Sequence, residues 1–115
     1  MKIDWLAEGI SVANGRQKSY LSLGEVLSRA AKESLGPVID PALHKGPLDM
    51  RFAYPVWRYF NEYLMTHHGR ETYQGFLVAV AADPPEWRSQ FERSFGRRFA
   101  DEIEAFEETL HSAER

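Results

Sequence analysis

Cysteine is absent from this 115-residue chain, which excludes disulfides, thiolate metal sites and cysteine catalysis while leaving the compartment open. No apolar run approaches the roughly 18–20 residues of a membrane span. The N-terminus lacks the pattern of a signal peptide, so a signal belonging to an exported parent protein is expected upstream of Met1. Basic residues are outnumbered: 14 Lys and Arg stand against 17 Asp and Glu, for a net charge of −3. That balance, with no basic stripe, argues against a nucleic-acid partner. Histidine is scarce and scattered. Of His44, His67, His68 and His111, no two are three or four apart, the spacing at which one helix face aims two imidazoles at a shared metal. No segment alternates with period two over a useful length, and neither an internal repeat nor a low-complexity tract is visible.

What is present is material for one helical core. Hydrophobic residues make up 43% of the chain, with seven Phe, five Tyr and three Trp, enough for a single modest domain. Apolar residues recur at helical spacing in successive segments, each bounded by a cap or a breaker. Trp5, Leu6, Ile10 and Val12 mark a short helix over residues 4–13, which Asn14-Gly15 ends. Ser22 and Glu25 form a capping box, with Leu21 and Val26 as its hydrophobic staple, for a helix over 23–34. Gly36, Pro37, Pro41, Gly46 and Pro47 then predict a loop over 36–48.

The strongest helix carries Val56, Phe60 and Leu64 on one stripe, with Trp57 and Tyr63 flanking and Gly69 as its stop. Pro55 suits its first turn, or stands at a kink if residues 48–54 join the same helix. A fourth helix over 70–82 bears Tyr73, Phe76, Leu77 and Val80. Asp83-Pro84-Pro85-Glu86 reads as a second capping box opening a helix with Trp87, Phe91 and Phe95, ended by Gly96. The last helix aligns Phe99, Ile103, Phe106 and Leu110, and Asp101 and Glu102 suit its positive end. The expected fold is therefore all-α, a compact bundle of five to six short helices in a single domain over 1–115. Its core should join Val56, Phe60, Leu64, Phe76, Phe91, Ile103 and Phe106.

The stretch Trp5-Leu6-Ala7-Glu8-Gly9-Ile10 resembles the W-L-x-E-G element of the gluzincin (peptidase MA-like) zinc metallopeptidases. Downstream, Tyr54, Phe60, Tyr63-Leu64, Gly69 and Phe76-Leu77 resemble that family's helical tail. Phe95-Gly96 and the acidic run from Asp101 to Glu108 resemble its ending, so the likeness extends over nearly the whole chain in order. In the family the glutamate of W-L-x-E-G is the third protein ligand of a catalytic zinc, and an upstream H-E-x-x-H helix supplies two histidines and the general base. Here no H-E-x-x-H occurs. The resemblance thus implies the C-terminal helical part of a metallopeptidase-like hydrolase. Glu8 would be a residual zinc ligand and Tyr54 an oxyanion donor, each set against a plainer role, Glu8 as a solvated helix residue and Tyr54 as a packing residue.

A hydrolytic zinc needs three converging protein ligands and an open position for water, so this chain alone is expected to be inactive and without cofactor, zinc belonging to a complete family member. The alternative from another class is a free-standing helical interaction module that self-associates. The partner is then a second copy, in a homodimer, or an upstream catalytic subdomain. In the dimer Trp5, Leu6 and Ile10 are expected to lack part of their cover and to form the contact. His67 and His68 are read as capping residues at a helix C-terminus, and Arg88, Arg93, Arg97 and Arg98 as surface partners of the acidic helix, whose carboxylates form a solvated face.

Overall fold

Local chemistry sets the helix boundaries. The Asp49 carboxylate accepts from the Arg51 N–H at 3.1 Å and so caps the longest helix. Gly69, with φ of 89°, ends that helix and begins the next, in a backbone conformation that a side chain resists. The computed structural model describes residues 5–6, 23–44, 46 and 49–114. Among them Trp5 and Leu6 are helical, and six α-helices follow: α1 (Leu23–Ala30), α2 (Gly36–Ile39), α3 (Met50–His68), α4 (Arg70–Ala82), α5 (Trp87–Phe95) and α6 (Phe99–Glu114). Short 3-10 turns at Pro41–Leu43 and Pro84–Glu86 precede α3 and α5. No strand occurs among the described residues, and the fold is all-α.

Several boundaries fall where the spacing puts them, and others do not. The helix over 70–82 and the stop at Gly96 are as expected. The loop over 36–48 contains α2 and a 3-10 turn, because the Asp40 carboxylate accepts from the Ala42 N–H at 2.9 Å and organises the backbone there. Residues 50–54 do join α3, which leaves Pro55 as its sixth residue instead of in its first turn. The second helix ends at Ala30, four residues early, in a turn. Asp83 makes no side-chain cap bond, so the second capping box is absent. The first helix beyond Leu6, and Ser22 with its capping box, lie outside the described residues.

Packing brings α4 against α5, α1 against α6, and α3 against both α4 and α6. Val56, Phe60, Leu64, Phe76, Phe91, Ile103 and Phe106 are all buried in one cluster, as the apolar stripes require. At its centre stands Trp5, 0% exposed. Its ring meets Phe60, Phe76, Trp87, Phe91 and Phe99 at centroid separations of 5.1–6.2 Å. Side chains from α3, α4, α5 and α6 therefore converge on a residue 55 positions or more away in sequence.

Candidate functional site

The residues around Trp5 form the most organised polar site in the described structure. Asn61 lies on the buried face of α3, four residues after Trp57 and three before Leu64, and is itself 0% exposed. Its Nδ2 donates to the Trp5 carbonyl at 2.9 Å and to the Trp57 carbonyl at 2.7 Å, while its Oδ1 accepts from the Tyr73 hydroxyl of α4. Carbonyl oxygens only accept, so the amide must turn its NH2 toward them and its oxygen toward Tyr73. Burial pushes the Tyr73 hydroxyl well above its ordinary range, which keeps it a donor. The Trp5 Nε1–H, by contrast, is buried and has no hydrogen-bond partner among the described residues. Among the described residues the indole is held by ring packing and by the bond to its backbone carbonyl.

Of the two residues singled out by the resemblance, Glu8 lies outside the described residues. Tyr54 is half-buried on α3, its ring set edge-on against Trp57 at 5.5 Å and packed on the core. Trp5 and Leu6, expected to be partly uncovered, are buried at 0% and 6% exposure. The docking of Trp5 into the aromatic cluster explains the difference: the chain itself supplies their cover. Ile10 lies outside the described residues.

A second buried polar group was not legible as such. Glu102, expected on a solvated face, is 1% exposed. Its Oε1 accepts from the His68 Nε2–H and its Oε2 from Arg97 at 3.4 Å. Glu102 falls three residues after Phe99 and four before Phe106, the spacing that carries it onto the buried stripe of α6. Burial, reinforced by the Glu102 charge, pushes the neighbouring Tyr63 hydroxyl up. His68 also packs on Phe95 at 4.9 Å, so it joins α3 to α5 and α6 beyond its place at a helix end. His67 contacts the Tyr63 carbonyl through Nδ1 at 3.2 Å.

The arginines divide between two surfaces. Arg97 and Arg98 pair with the acidic helix as expected, Arg98 with Asp101 at 3.0 Å. Arg88 does not. It makes two bonds to Asp40, at 2.6 and 3.0 Å, and lies over the Trp87 and Phe99 rings. Burial alone would raise the Asp40 carboxyl, but Arg88 and the Ala42 N–H outweigh it and hold the group below its ordinary value. A cleft of about 290 Å³ between α1 and α3 has Arg29 on its wall, stacked over Phe52 and tied to Glu33 and Asp49. One guanidinium there meets two carboxylates, for a net charge of −1, and no hydrogen bond among the described lining residues pairs a nucleophile with a base.

A zinc site finds no support in these surroundings. Among the described residues no three His, Asp or Glu side chains stand together as metal ligands. His67 and His68 take the contacts above, and His111 contacts the Ala30 carbonyl at 3.1 Å. The described residues alone therefore do not fit the three-ligand centre of a hydrolytic zinc. No protein-family model, curated protein or solved structure matches the chain.

Proposed function

We propose that this chain is the non-catalytic helical tail of a gluzincin-like zinc metallopeptidase, in which the W-L-x-E-G segment is mounted on a helical core and Glu8 is a residual ligand. The observation that carries the reading is the seating of Trp5. The first residue of the motif stands in the centre of the aromatic cluster, and its carbonyl is held by buried Asn61. Glu8 follows three residues later, within about 10 Å of chain. A surface helix residue has no need of such an anchor, whereas a segment that must present one carboxylate at a set place does. Tyr54, packed on Trp57, serves the core in this reading. Hydrolysis would belong to an assembly in which an H-E-x-x-H helix completes the ligand set.

The coding sequence directly upstream of Met1 tests the proposal: an in-frame H-E-x-x-H supports it, and its absence favours the interaction module instead. On the bench, calorimetric zinc titration of the chain should detect no stoichiometric submicromolar site. A tight site abolished by Glu8→Gln would overturn the non-catalytic assignment.

A second reading, a self-associating interaction module, is favoured by one observation. The outer face of α4 exposes Gly75, Val78, Ala81 and Ala82, with Val78 70% exposed and no charged residue from Thr72 to Ala82. Sedimentation at micromolar concentration separates the readings. A dimer abolished by Val78→Lys favours the module, and a clean monomer removes it.

A further inference from the structure

We infer that Asn61, oriented by Tyr73, is a positioning residue for the Trp5 backbone, the first residue of the W-L-x-E-G segment. The inference rests on the tail reading for the importance of Glu8, but the latch itself is on α3 and α4. A polar amide in an aromatic core is costly unless its bonds are made. Asn61 makes three, and they are of different reach. The bond to Trp57 spans four residues within α3, the one from Tyr73 spans twelve, and the one to Trp5 spans 56. The first two fix the plane and direction of the amide before Trp5 is considered. One N–H then remains, aimed at a single point, and the Trp5 carbonyl occupies it.

Aromatic packing alone would tolerate several placements of the indole, because offset and edge-on contacts are nearly equal in energy. The indole N–H selects none of them, being without a partner among the described residues. A directional bond to the Trp5 backbone does select one. It also acts on the main chain, so it fixes the Trp5 carbonyl and not only the placement of a ring. Asn61 and Tyr73 are thus the pair that converts a hydrophobic plug into a register.

Hydrogen exchange read by mass spectrometry tests this on the whole chain. Tyr73→Phe keeps the ring and removes the hydroxyl that orients the amide. Asn61→Leu keeps the branched outline of the side chain, though larger, and removes the bond. In both, the peptide covering residues 1–10 should exchange about tenfold faster relative to peptides from α3 and α6, the factor that one net buried hydrogen bond sets. A parallel change in every peptide would reduce the pair to ordinary core residues and overturn the inference. So would an N-terminal peptide that is unprotected in the unaltered protein or does not respond. Tyr73→Phe is the milder change and stays informative if Asn61→Leu does not fold. The outcome is independent of what is encoded upstream of Met1, so the latch and the tail reading can fail separately.

Discussion

Replacing Trp5 with alanine would remove the ring on which Phe60, Phe76, Trp87, Phe91 and Phe99 converge. An indole that is 0% exposed withdraws about 200 Å² of largely apolar surface from water, worth about 5 kcal/mol at 25 cal/mol per Å². Lost edge-on contacts add about 1 kcal/mol. Against this, the substitution deletes a buried N–H without a partner among the described residues, which returns about 1–3 kcal/mol. The net is a destabilisation of about 4 kcal/mol, within the range of about 3–5 kcal/mol typical of large aromatic truncations. For a chain of this length that lowers the midpoint of thermal unfolding by about 15–20 °C. Trp5→Phe keeps a ring, the Asn61 bond to the backbone and no orphan N–H, so its cost should be below about 2 kcal/mol. Urea unfolding followed by far-ultraviolet circular dichroism measures both. If Trp5→Ala costs less than about 1 kcal/mol, the ring is not seated in the core, and the anchoring argument for the W-L-x-E-G segment fails with it.

Phe106→Ala, within the same cluster, should cost about 3–5 kcal/mol by the same measurement. Glu102→Ala leaves His68 and Arg97 without their shared carboxylate, but His68 is half-buried and Arg97 reaches water, so the expected cost is about 1–3 kcal/mol. A neutral result would show that the cluster contributes no stability. Asp40 has a carboxyl held below its ordinary value of 3.8. Its contribution is therefore complete above that value and is lost as pH falls through the lowered one. Arg88→Met removes the largest cause that lowers the group while burial still opposes its ionisation, so the stability difference between the two proteins should be full above the ordinary carboxylate range and shrink as pH falls through it. Superimposable profiles would refute the pairing.

Helix existence and the core were legible in the chain because they depend on spacing and on local breakers. Val56, Phe60 and Leu64 share a face by geometry alone, and Gly69 and Gly96 end helices through their own backbone freedom. Within the candidate site, only Trp5 could be read in advance, as an aromatic of a recognisable element. The signals for Asn61 and Glu102 were present: each sits at helical spacing between apolar residues on a buried stripe. Periodicity says only that such a residue faces inward. It does not say what will meet it there.

Tertiary structure alone decided the partners. Trp5 with Asn61, Asp40 with Arg88 and His68 with Glu102 lie 56, 48 and 34 residues apart. A hydrogen bond or an ion pair depends on distances of about 3 Å and on direction, and these are set only after the helices have packed. The same holds for the burial of Trp5 and Leu6: their apolar character was plain from the residues, but whether this chain or another copy covers them depended on where four helices converge. The sequence by itself determined an all-α chain with its apolar stripes and stops; the packing determined which polar groups were taken inside and which partner each one found.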